Sequence, residues 1–203
     1  MRDPNWFYSL NIDKLFEKYL SQFIDKPVTF LQIGAFTGNA SKWLVENILT
    51  HPESKLIDVD VWTFLPLIAG FESKKIEEKY DLQMQEHIKT GKVVKIHSYS
   101  SDFFKTNTNT FEFIYIDGDH NEKAVVEDGT NALKVLSSKG IISFDDYNML
   151  DIEASFKNKK KISHIKNGIN KLDFTNFSIL EEENCWQFWA QKNDHINHNH
   201  NKF

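Results

Sequence analysis

Two apolar runs that stop abruptly in acid constrain this sequence more than anything else in it. They are Phe111-Glu-Phe-Ile-Tyr-Ile-Asp-Gly-Asp-His120 and Ile142-Ser-Phe-Asp-Asp-Tyr147. Phe113 to Ile116 and Ile141 to Phe144 read as strands buried on both faces, the habit of parallel sheets. Carboxylates are not buried unpaired, so Asp117, Asp145 and Asp146 mark where each strand leaves the core, gathered at the carboxyl edge of one sheet. Ligands of open α/β sheets bind at that edge. Neighbouring carboxylates repel unless a cation, a proton or a substrate offsets them. A site is the economical reading.

The rest of the chain alternates short β-rich runs with longer helical stretches, the pattern of an α/β fold with a parallel sheet. Trp6 to Phe23 carries a helical stripe of Leu10, Leu15, Phe16, Tyr19, Leu20 and Phe23, expected to pack across the sheet. Val28 to Ile33 is the first strand, Gly34 to Gly38 a turn, and Asn39 to about Leu49 a helix. Leu56 to Val59 is the second strand, ending at Asp60. Trp62 to Gly70 reads as a loop or lid, and Glu72 to Thr90 as a helix closed by Gly91. Val93 to His97 and Phe111 to Ile116 follow as strands, His120 to Leu136 as a helix stopped by Gly140, and Ile141 to Phe144 as the fifth strand. Phe177 to Leu180 and Cys185 to Ala190 suggest a closing antiparallel hairpin.

With 203 residues, 40% of them hydrophobic, residues 1–192 suit one domain with a full core, and residues 1–25 form its N-terminal helical region. The Asn- and His-rich tail 193–203 is expected to be disordered. A net charge of −5 disfavours a protein held to phosphate backbones, so a small substrate is expected and nucleic acid is not. The apolar runs are too short for a membrane span, and a cytoplasmic location is the expectation. The single cysteine, Cys185, excludes an internal disulfide and reads as a core residue. Lys157 to Lys161 reads as a solvated loop.

Leu31-Gln-Ile-Gly-Ala-Phe-Thr-Gly-Asn-Ala40 joins the first strand to its helix, where glycine lets backbone approach a ligand and frees amides. Asp60, 22 residues beyond Gly38, stands where a ribose-binding carboxylate belongs. The dinucleotide fingerprint wants glycine at the position of Phe36. A bulky residue there disfavours a pyrophosphate and suits an adenosine cofactor with little or no phosphate.

Gly34-Ala-Phe-Thr-Gly38, Asp60-Val-Trp62, Ser98-Tyr-Ser-Ser-Asp102, Tyr115-Ile-Asp-Gly-Asp-His120, Phe144-Asp-Asp-Tyr147 and the terminal hairpin occur in that order. Together they resemble class I S-adenosylmethionine-dependent methyltransferases, and within them the metal-dependent O-methyltransferases of the catechol and macrolide-sugar type. The resemblance runs from about Val28 to Ala190. It implies a Rossmann-like, doubly wound, mostly parallel sheet with a C-terminal antiparallel hairpin. It implies that Gly34, Ala35 and Gly38 border the methionine moiety of the cofactor, that Asp60 binds the ribose, and that Ser100 and Ser101 lie beside the adenine. It further implies that Asp117, Asp145 and Asp146 hold a divalent cation, Mg²⁺ by preference, and that His120 fills the general-base place. Gln32 departs from the family, which has an acid just before the glycine turn.

The expected activity is methyl transfer to a hydroxyl of a small molecule, such as a sugar or a catechol-like compound. An NAD-dependent oxidoreductase and a non-catalytic, cofactor-binding regulator are the competing readings; Gln32 keeps the latter in play. Asp119 reads as the cap of the helix after it, His97 as structural, and Trp62 as cover for the cofactor or as packing. Trp186 and Trp189 read as packing. A homo-oligomer through the N-terminal helix is compatible with the sequence.

Overall fold

The computed structural model describes residues 6–63, 73–148, 164–182 and 186–194. Seven strands form one sheet in the order β3-β2-β1-β4-β5-β7-β6. They are β1 (Thr29–Ile33), β2 (Lys55–Asp60), β3 (Val93–His97), β4 (Phe111–Ile116), β5 (Leu136–Phe144), β6 (Phe177–Glu181) and β7 (Phe188–Lys192). The first five pair in parallel, and β7 runs antiparallel between β5 and β6. This is the doubly wound sheet with a closing hairpin that the sequence implies.

The helices are α1 (Trp6–Ser9), α2 (Ile12–Leu20), α3 (Asn39–Asn47), α4 (Ser73–Lys89), α5 (Ser100–Thr106), α6 (Glu122–Val135) and α7 (His164–Ile169). On one face of the sheet Phe30, Leu56, Phe113, Ile141 and Trp189 pack against Phe16 and Leu20 of α2, Leu44 of α3 and Tyr80 of α4. On the other, Leu31, Ile57, Ile114 and Ile142 pack against Phe103 of α5, Val125 and Ala132 of α6 and Ile165 of α7. The central strands β1, β2, β4 and the second half of β5 are covered on both faces, which is why they read as largely apolar.

Three local expectations change. The N-terminal stripe is broken at Asn11, whose φ of 56° separates α1 from α2, and α2 buries Ile12, Phe16 and Leu20 at four-residue spacing. Gly140 does not stop a helix: β5 already begins at Leu136, and a register shift between Phe111 and Phe113 absorbs the irregularity. Trp189 is fully buried, edge-on to Phe16 at 5.6 Å, whereas Trp186 lies ahead of β7 and is 39% exposed. Most of the lid segment, the Lys157 to Lys161 run, Cys185 and most of the tail lie outside the described residues. Among the described residues no helix is long and apolar enough to cross a membrane.

The ladder carries the site. Gly34 N–H donates to Val59 O at 2.9 Å, Asp117 N–H to Ile33 O at 2.8 Å, and Asp145 N–H to Ile116 O at 2.9 Å. Backbone bonding therefore continues one residue past β1, β4 and β5, and the first acid after each of the last two strands is fixed by the sheet itself.

Candidate functional site

The turn after β1 is built by close approach. Gly34 has φ of 85°, and a Cβ there would lie 1.9 Å from the Asp117 carbonyl oxygen, so only glycine lets the β1 and β4 tips touch. Gly38, with φ of 89°, opens α3. Phe36, Trp62 and Asp146 also take positive φ, at 48°, 44° and 54°. All three lie at the carboxyl edge, and such conformations persist where surrounding structure over-determines them, commonly at functional sites.

Asp60 over-determines the first two. Its Oδ2 accepts the Ala35 and Phe36 amides at 2.7 and 2.9 Å, and its Oδ1 accepts the Trp62 amide at 2.6 Å. Trp62 Nε1 donates to Phe36 O at 2.9 Å. The turn amides that the sequence reading left free for a ligand are thus engaged by Asp60. Gln32 is buried; its Nε2 donates to Gly34 O at 3.0 Å, and its Oε1 accepts from Ser41 Oγ at 3.3 Å. An ionised carboxylate at position 32 could not hold the Gly34 carbonyl, since it has no proton to donate. The amide at this departure therefore has a local structural role.

Trp62 is a packed residue, 4.8 Å from the Tyr80 ring with the Lys95 ammonium 4.6 Å over it. His97 sits at the sheet edge, 3.0 Å from Glu77. Ser100 and Ser101 open α5, half-buried. Ser100 Oγ donates to Asp128 Oδ1 of α6 at 2.5 Å, and burial pushes Asp128 up to about 6.

The acids after β4 and β5 converge as the sequence requires. One ligand atom each of Asp117, His120 and Asp146 lies within 4.8 Å of the others, and His120 Nε2 is 3.2 Å from Asp146 Oδ2. Asp145 is not in that tight group. Its Oδ1 accepts from Gln187 Nε2 at 3.0 Å. Ile116, Val125, Phe144 and Ile165 form apolar walls around Asp117, His120 and Asp145. Asp119 does not cap α6: Asn121 does, accepting the Lys123 and Ala124 amides, while Asp119 braces Asn121.

Electrostatics follows from this crowding. Burial, and then Asp145 and Asp146, push the Asp117 carboxyl well above the ordinary range. Burial and Asp146 push Asp145 up to about 6, and burial alone does the same to Asp146. Burial lowers the proton affinity of His120 despite the opposing pull of Asp145 and Asp119. Carboxylates that repel in a half-apolar hollow are offset by a hard divalent cation, which favours oxygen ligands. The donor set fits such an ion.

Gln187 was beyond sequence reasoning, since it sits in an apparent β run far from the acids it serves. Tyr115 and Asp128 were missed as well. The former belongs to a quoted motif but reads as core, and the latter reads as the polar face of a helix.

Comparison with known proteins identifies the family and the fold. The model of a family described as a methyltransferase domain matches residues 31–147. The chain is 30% identical over 139 residues to "Uncharacterized protein R132" of Acanthamoeba polyphaga mimivirus. That match covers 66% of this chain and 58% of the relative, so the chain spans little more than half of its length. An O-methyltransferase from Bacillus cereus in complex with SAH superposes with a TM-score of 0.61 at 14% identity, over 95% of this chain and 82% of that one. N-methyltransferase NodS from Bradyrhizobium japonicum gives 0.57 at 14% identity, over 95% and 100%. At such identities the shared feature is the fold.

Proposed function

This chain belongs to the methyltransferase-domain family, and we propose that the protein is an S-adenosylmethionine-dependent O-methyltransferase acting on a hydroxyl of a small molecule. The observation that carries this reading is the convergence of Asp117, Asp146 and His120 beside the glycine turn, with Gly34 packed on the Asp117 carbonyl. When bound, the cofactor supplies a methyl group on a sulfonium leaving group, and a divalent cation such as Mg²⁺ acidifies and orients the accepting hydroxyl.

The chain's residues do the rest. Asp117, Asp145 and Asp146 would hold the cation, and two of them are anchored by the last bonds of the ladder. Orientation of this kind is worth up to about 7 to 11 kcal/mol in favourable intramolecular cases. Burial favours the neutral form of His120, the form able to accept a proton. Its Nε2 lies 3.2 Å from Asp146 Oδ2, beside the cation ligands. Gly34, Ala35 and Gly38 would border the methionine moiety, Ser100 and Ser101 the adenine. Asp60 would meet the ribose hydroxyls while keeping its grip on the turn. A substrate with two neighbouring oxygens, a sugar or a catechol-like compound, suits the centre. Transfer to oxygen finds its support in the acid cluster, which favours a metal-assisted hydroxyl.

The test is calorimetric titration with S-adenosylhomocysteine, with and without Mg²⁺, and with NAD as control. Saturable binding of the homocysteine compound is the expected result. No binding, or preference for NAD, would sink the reading.

A further inference from the structure

Gln187 stands just ahead of β7 with its side chain fully buried, and both ends of its amide are engaged. Oε1 accepts Trp189 Nε1–H at 2.9 Å, while Nε2 donates to Asp145 Oδ1 at 3.0 Å and to the Tyr115 hydroxyl at 3.2 Å. An indole nitrogen can only donate. Trp189 therefore fixes which end of the amide is oxygen, and the NH₂ end is turned toward Asp145. The backbone ties the same two segments, with Tyr147 N–H donating to Trp186 O at 2.7 Å and Phe144 facing Phe188 across the antiparallel pair.

The oxygen end of the amide has a structural task, since it satisfies the buried Trp189 indole N–H. The nitrogen end adds a neutral donor, supplied from the entry of β7 and aimed at one acid of the cluster. Groups that orient a ligating carboxylate in this way commonly set metal affinity.

We propose that Gln187 is a positioning residue of the cation centre: from the entry of β7 it fixes the rotation of the Asp145 carboxylate, so that the centre is complete only when the terminal hairpin is docked on the sheet. The inference rests on the reading of Asp117, Asp145 and Asp146 as cation ligands.

The experiment is Mn²⁺ titration of the full-length protein, followed by the paramagnetic signal of the free ion. Affinity for S-adenosylhomocysteine and the thermal midpoint are recorded alongside. Gln187→Met keeps length and apolar bulk but removes the donor, and should weaken Mn²⁺ about 10- to 100-fold while S-adenosylhomocysteine affinity moves less than about twofold. In an Asp145→Asn background the same change should add almost nothing, because interacting residues are non-additive. Trp189→Phe leaves the amide in place but frees it to rotate, and should weaken Mn²⁺ by a smaller factor that vanishes once position 187 is Met. If Gln187→Met and Trp189→Phe both bind Mn²⁺ like wild type, or if the loss is as large without the Asp145 carboxylate, the proposal falls and the cation reading stands. A wild-type protein that binds no Mn²⁺ overturns the cation reading and this proposal with it.

Discussion

Asp58 shows what a single buried carboxyl costs this fold. It lies in β2 between Gln32 and Lys95 in the strand register, with no exposed surface. Tyr80 Oη donates to its Oδ2 at 2.7 Å, and among the described residues its Oδ1 has no hydrogen-bond partner. Burial pushes its carboxyl up to about 7, against the lowering effect of Tyr80 and Ser41. The native protein therefore keeps a proton on Asp58 where the unfolded chain has lost it. Stability from this residue is full below about pH 4 and declines as pH rises toward about 7. Asp58→Asn should flatten that decline, the gap between variant and wild type growing by up to about 4 kcal/mol from about pH 4 to pH 8. Urea unfolding across that range checks it. Parallel pH curves for the two proteins would show that Asp58 stays ionised in the native state.

Among the elements, the joint between β1 and β4 matters most to the site, because Gly34 touches the carbonyl of the first candidate ligand. Gly34→Ala must both accept a left-handed φ and push the β1 and β4 tips apart. We expect a loss of more than about 3 kcal/mol, with weaker binding of both S-adenosylhomocysteine and Mn²⁺. A variant that lost only one ligand would show that the two subsites do not share this joint. The same elements explain what could be read from sequence. β1 to β4 were legible because each is rich in β-branched and aromatic residues despite an inner Gln32, Asp58, Lys95 or Glu112, and Asp117, Asp145 and Asp146 because they follow the two most apolar stretches. The start of β5 was not, since Ser137-Ser-Lys-Gly140 has the composition of a turn and lies across the register shift between the Leu136–Phe111 and Ile141–Phe113 pairs. α5 and α7, seven and six residues long, are too short to show a period. The grip on Asp145 crosses 42 residues of sequence, and no local pattern marks a glutamine as a partner at that distance.

At the scale of the whole molecule, the fold is strained for the sake of its carboxyl edge. Asp117, Asp145 and Asp146 crowd one hollow, and Asp146 in addition takes a left-handed φ of 54°. A protein with a net charge of −5 gains nothing for solubility from concentrating acids there. Asparagine at 146 would relieve both stresses, since it carries no charge and is among the residues that visit the left-handed region most readily. Asp146→Asn should thus melt higher than wild type without metal, while saturating Mn²⁺, which stabilises whatever native state binds it, should raise the wild-type midpoint and leave the variant almost unmoved. The two melting curves would then approach each other as Mn²⁺ is added. A variant that melts lower without metal, or that keeps the full Mn²⁺ shift, would mean that Asp146 serves the fold and not the ion.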